Sequence, residues 1–135
     1  MSRPQPSPVF VLALIAVGGA LGSAARWGLA QAWPTAGGFP WATLAANVSG
    51  AAILGALLVT LDARRPFDPY LRPFLAVGVL GGYTTFSTYV LETRALWAES
   101  RPAFAILYVG ATLLLGLGGC ALGLWAARTT LRGRR

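Results

Sequence analysis

Four long apolar runs divide the chain, each bounded by prolines, arginines or tryptophans. They cover about residues 9–32, 40–61, 73–97 and 103–127, and each exceeds the roughly 20 residues a helix needs to cross a bilayer core. The pattern predicts an all-α integral membrane protein: one domain of four transmembrane helices with short loops. The first run starts like a secretory signal peptide, but it continues through Gly28 and Leu29, which favours a retained span. Pro40 falls at the first turn of the second span, where its missing N–H costs nothing, and Pro66, Pro69 and Pro73 keep the loop before the third span non-helical.

The third run differs from the others. Between Gly78 and Tyr89 it holds three glycines, three threonines and one serine, and each glycine costs about 1 kcal/mol against alanine in a helix. We expect the third helix to be broken near the midplane. The chain has no internal repeat, so a broken helix must find its symmetry mate in another subunit, which predicts a dimer.

Composition strengthens the membrane reading: 56% of residues are hydrophobic and 11% charged, with a mean hydropathy of +0.61. The net charge of +7 comes from eleven arginines without a lysine. Most arginines flank the apolar runs, where they would meet anionic headgroups, so no nucleic-acid partner is expected. Histidine is absent from the sequence, Cys120 stands alone in an apolar run, and Asp62, Asp68, Glu92 and Glu99 lie nearly all at span ends. No nucleophile–base pair or side-chain metal cluster can be assembled from these, and the chain is not expected to be an enzyme.

Candidate chemistry therefore sits on uncharged groups. Thr43 and Asn47 lie one turn apart on the second span, with Ala51 and Gly55 extending the same face. An asparagine there either bonds a neighbouring helix or lines an ion path, and spacing admits both. Tyr108 and Thr112 repeat the spacing on the fourth span. Arg26, near the end of the first span, either snorkels to the interface or draws an anion inward. The GxxxG pairs Gly18/Gly22 and Gly119/Gly123 suit close helix packing. Where the third helix unwinds, freed carbonyls can bind a hard cation such as Na⁺, and half-helix N-termini and hydroxyls can attract anions. Phe86 and Tyr89 fall on one side of any resumed helix, and aromatic edges carry partial positive charge.

Gly18-Gly19-Ala20-Leu21-Gly22 followed by Arg26-Trp27, then Pro40-Trp41-Ala42-Thr43-Leu44 leading to Asn47 and Gly50, then Gly81-Gly82-Tyr83-Thr84-Thr85-Phe86-Ser87-Thr88, occur in this order. Together they resemble the Fluc/CrcB family of fluoride channels over essentially the whole membrane region. The resemblance implies an antiparallel dimer of four-helix subunits in the cell (inner/plasma) membrane, with two fluoride pores and a central structural Na⁺. It implies that fluoride leaves the cytoplasm passively. The Na⁺ ligands would be the backbone carbonyls of Gly81 and Thr84. Asn47 would be a pore-lining donor, Phe86 the first aromatic, and Tyr108 with Thr112 part of the polar side. Thr43, Ser87 and Thr88 complete the implied pathway, and Arg26 matches the family's first-helix arginine.

Two departures stand out. The family usually reads FSTF, whereas Tyr89 places a hydroxyl where an edge hydrogen would be. Arg3, Arg64, Arg65, Arg72, Arg128, Arg132, Arg134 and Arg135 fall on one side of four spans, against Arg94 and Arg101 toward the other. This bias predicts cytoplasmic termini and favours an oppositely oriented paralogue as partner, with the homodimer and the heterodimer both left open. The alternative function is a small multidrug-resistance-like proton-coupled transporter. That chemistry needs a first-helix carboxylate, and the first span has none; more broadly, we expect no intramembrane carboxylate to couple protons.

Overall fold

The computed structural model describes residues 7–33, 38–65 and 68–133. The expectations for Arg3, Pro66, Arg134 and Arg135 lie outside the described residues. The elements run α1 (Pro8–Ala32), α2 (Trp41–Arg64), a π-helical segment (Pro73–Leu80), α3 (Gly81–Tyr83), α4 (Ser87–Ala98) and α5 (Pro102–Arg132). They make four spans long and apolar enough to cross a membrane, Pro8–Ala32, Trp41–Arg64, Pro73–Ala98 and Pro102–Arg132. Large apolar side chains such as Val9, Leu21, Leu114 and Leu117 point outward. This is the inverse of a soluble protein and the arrangement a lipid solvent requires, because helices satisfy their own backbone groups. The chain is a multi-pass membrane protein.

Proline sets the entries and charge extends the exits. Pro8, Pro73 and Pro102 sit in the first turn of their elements, where an N–H has no helical partner. Before the third span Asp68 Oδ1 accepts the N–H groups of Tyr70 and Leu71, both at 3.0 Å. These bonds hold its carboxyl below the ordinary value of 3.8. α2 and α5 run past the expected limits at Leu61 and Ala127, ending at Arg64 and Arg132. Hydropathy locates the edge of the hydrocarbon, but helical hydrogen bonding does not stop there, and an arginine in the last turn complements the helix dipole. Between α4 and α5 the N–H of Arg101 bonds the carbonyl of Leu96 at 2.9 Å and that of Ser100 bonds Trp97 at 3.1 Å. Ser100 takes φ 59°, so this is a Schellman turn with serine in the position that favours glycine.

Two pairs of parallel helices form the body, each joined by backbone contact. On the α1 side, a Cβ at Gly18 would lie 3.0 Å from the Gly78 Cα, and one at Gly22 would collide with the carbonyl of Val79. Gly82 meets Gly19 in the same way. On the α2 side, Gly119 meets Val48 and Gly123 meets Ala52. Both GxxxG pairs are therefore close-packing faces, as their spacing suggested. Residue numbers rise together across both seams, so α1 runs parallel to the π segment and α2 parallel to α5. At the end of the body where α2 and α5 begin, Phe39, Leu44, Leu96, Ala105 and Tyr108 make a side-chain core.

Candidate functional site

The site begins between α3 and α4. Thr84 follows α3 with φ −81° and ψ 157°, an extended conformation, and α4 starts at Ser87. The side chain of Asn47 grips this step from α2. Its Nδ2 donates to the carbonyl of Thr85 at 3.0 Å, and its Oδ1 accepts the Thr85 N–H at 2.8 Å. Of the two roles open to Asn47, the interhelical bond is thus formed. The Ser49 and Tyr83 hydroxyls meet at 3.0 Å, and Thr84 Cγ2 occupies the space a Cβ at Gly50 would need.

The grip has a consequence for two carbonyls. In a continuous helix the carbonyls of Gly81 and Thr84 would accept from the N–H groups of Thr85 and Thr88. The first of these donates to Asn47 instead, and the second to Thr85 Oγ1 at 3.2 Å. Gly81 is exposed, with nothing within 4 Å of the place a Cβ would occupy. The two carbonyls expected to hold Na⁺ are thus released from the ordinary helical ladder, and Gly81 lies on an open face. The oxygen-only donor set fits a hard cation.

The Gly82 carbonyl is engaged from α1. It accepts from Arg26 Nε at 3.2 Å and from Ser23 Oγ at 3.4 Å. Arg26 therefore bridges two helices and does not simply reach for the interface.

Beyond the step the polar groups converge on Glu92. Thr43 donates to Glu92 Oε1 at 2.8 Å and the Tyr108 hydroxyl to Oε2 at 2.7 Å. Tyr108 is fully buried. This corrects the expectation that no carboxylate lies within the membrane region. Glu92 stands six residues before the end of α4 at Ala98, which looks terminal along the chain, but the fold packs it between α2 and α5. Sequence reasoning missed it as a site residue. The available signal was that Thr43 and Tyr108, polar residues at the start of two spans, both needed a partner near the end of the third.

The rings form a series. Phe86 and Tyr89 lie 5.8 Å apart between centroids, and Tyr89 and Tyr108 5.3 Å. Phe86, 78% exposed, forms the outer end. Ser87 is also exposed, and its hydroxyl lies 3.3 Å from that of Thr85, which bonds Thr88 at 3.1 Å. Thr112 stands apart: its hydroxyl is buried and without a hydrogen-bond partner among the described residues.

Two cavities meet at Glu92. One, of about 310 Å³, lies between Gly38, Pro40, Leu96 and Glu99. The other, of about 300 Å³, contains Arg26, Thr43 and Thr88. Ser23, Thr43, Thr88 and Arg26 thus border the second chamber, with Glu92 in the wall of both. Such groups can exchange contacts with a small partly dehydrated ion, and nothing in the arrangement resembles a nucleophile with its base.

Fold and site together define an all-helical protein with four spans able to cross a membrane. The chain belongs to the CrcB family: residues 13–124 match the family described as "CrcB-like protein, Camphor Resistance (CrcB)". It is 44% identical over 126 residues to "Fluoride-specific ion channel FluC 1" of Streptomyces coelicolor, covering 93% of this chain and 82% of that one. It is 41% identical over 128 residues to "Fluoride-specific ion channel FluC 2" of Nocardia farcinica, covering 94% and 91%. A FluC of Paracoccus denitrificans is 44% identical over 115 residues, covering 84% and 91%. These names are those of ion channels, not enzymes.

Proposed function

We propose that this protein is a passive, fluoride-selective channel that lets the ion leave the cytoplasm across the cell membrane. The observation that carries the reading is the extended backbone at Thr84, with Asn47 bonded to Thr85 beside the ring series Phe86, Tyr89 and Tyr108. Fluoride is small and strongly hydrated, so a path for it must replace water with several weak donors. Ring edges, hydroxyls and amide N–H groups supply these without binding too tightly for release. Asn47, Phe86, Tyr89, Thr43, Ser87, Thr88, Tyr108, Thr112 and Arg26 are the residues we assign to the path, and Glu92 joins them as the acceptor that orients Thr43 and Tyr108.

The working unit in this reading is an antiparallel dimer, with the interruption of the third span near the bilayer midplane. The carbonyls of Gly81 and Thr84 from both subunits would hold a structural Na⁺, which when bound offsets converging carbonyl dipoles and ties the subunits together. The exposure of Gly81 supports a partner surface there. Arginine bias supports cytoplasmic termini and an oppositely oriented paralogue as partner, with a homodimer as the simpler case. Proton-coupled drug export is disfavoured: both Glu92 oxygens are occupied by hydroxyl donors, and the relatives are named as channels.

Fluoride efflux from liposomes containing this chain alone tests the function. Fluoride release without chloride release is expected, and Phe86→Ile should suppress it while leaving assembly intact. Equal chloride and fluoride flux would refute selectivity. Reporter fusions at the C-terminus test orientation, since equal populations on both sides would establish dual topology.

A further inference from the structure

At the end of the molecule opposite the Glu92 chambers, α5 outruns the membrane. Its 31 residues span about 46 Å at 1.5 Å per residue, against a hydrocarbon core of about 30 Å. Trp125 is 66% exposed on this helix, and exposed tryptophan marks the headgroup boundary. Arg128 and Arg132 follow within two turns, one turn apart from each other, and both are exposed. Between them and α2 lies a groove of about 230 Å³ lined by Val59, Arg128, Leu131 and Arg132. Its lining thus combines two arginines with two apolar side chains. The nearby loop carboxylates are committed elsewhere: Asp62 pairs with Arg72 at 3.0 Å and Asp68 caps Tyr70 and Leu71. Thr129 and Thr130 turn their hydroxyls back to the carbonyl of Ala126, leaving the arginines as the groove's charged groups.

We propose that this groove is a binding site for one anionic phospholipid, with its phosphate between Arg128 and Arg132 and the start of an acyl chain on Val59 and Leu131. Guanidinium forks suit phosphate oxygens, and the apolar side chains distinguish a lipid from a free anion. The site lies away from the proposed ion path and does not depend on what the channel conducts.

Lipid retention by the full-length protein, measured by native mass spectrometry after mixing with phosphatidylglycerol or phosphatidylcholine, tests the proposal. Phosphatidylglycerol should be retained preferentially. An arginine near an anionic surface contributes about 1 kcal/mol, so the Arg128→Gln/Arg132→Gln double variant should lose about thirtyfold in that preference. Val59→Trp, which fills the groove and keeps both arginines, should also release the lipid, and millimolar inorganic phosphate should not displace it from the wild type. Unchanged retention in the double variant would overturn the site. Retention by Val59→Trp would show diffuse surface charge instead of a groove, and displacement by phosphate would show a simple anion site; either result defeats the proposal.

Discussion

The seam between α1 and the π segment and the cluster around Glu92 hold helices together by opposite means. At the seam Gly18, Gly22, Gly78 and Gly82 bring backbone onto backbone, and no side chain intervenes. At the cluster the side chains of Thr43, Tyr108 and Glu92 join α2, α5 and α4 through two hydroxyl bonds. A membrane gives little hydrophobic drive for helix association, so close contact must supply it at the seam. The polar cluster carries a burial cost that its hydrogen bonds offset. Backbone contact leaves the seam almost no room for an added side chain, whereas the cluster is expected to lose one bond without losing the fold.

Gly22→Val presses hardest on this contrast. Its first added carbon would already meet the Val79 carbonyl and the Tyr83 backbone, so we expect little or no monodisperse protein on size exclusion. Gly28→Val, with nothing within 4 Å, should purify like the wild type. Comparable yields of the two would remove the seam's claim to be indispensable. Next in size is Asn47→Asp, at the junction of the two regions. It sets a carboxylate oxygen against the Thr85 carbonyl in place of the donated bond. Fluoride flux should fall at least about tenfold, or about 1.4 kcal/mol of barrier, and a wild-type rate would take Asn47 out of the path.

Tyr108→Phe probes the cluster alone. It leaves one Glu92 oxygen without its hydroxyl donor, a loss of about 1–3 kcal/mol for an acceptor left unpaired. The protein should still fold, with flux reduced several-fold; aggregation would mean that the cluster, too, is structural. The smallest effect is expected from Tyr83→Phe, which removes the 3.0 Å contact with Ser49. A loss of about 1 kcal/mol in unfolding free energy, with flux within about twofold of wild type, would place that hydroxyl on the fold's side of the comparison. A larger flux defect than in Tyr108→Phe would reverse the ranking.

The legible parts of the site were those whose signal is local. The run from Gly78 to Tyr89 is so poor in helix formers that its unusual character is visible in twelve residues. The glycine pairs likewise announced close packing, although not that Gly18 and Gly22 would face Gly78 and Val79. Glu92 was illegible for the opposite reason. Its partners lie 49 and 16 residues away in the chain, and an acid close to a helix end looks like an interfacial residue until another helix is placed over it. Asn47 was half legible: its need for a partner was plain, and the choice of Thr85, 38 residues on, was not.

Four spans, their approximate edges and the location of unusual chemistry follow from the sequence alone, because lipid selects on the composition of each segment separately and turns and prolines act within a few residues. Which groups meet was set by the packing of the helices: Asn47 bonding the Thr85 N–H that the Gly81 carbonyl would accept in a continuous helix, and Glu92 accepting from Thr43 and Tyr108. Those outcomes depend on hydrogen bonds of about 3 Å between helices distant in the chain, and residue spacing within any one helix contains no information about the neighbour it will face.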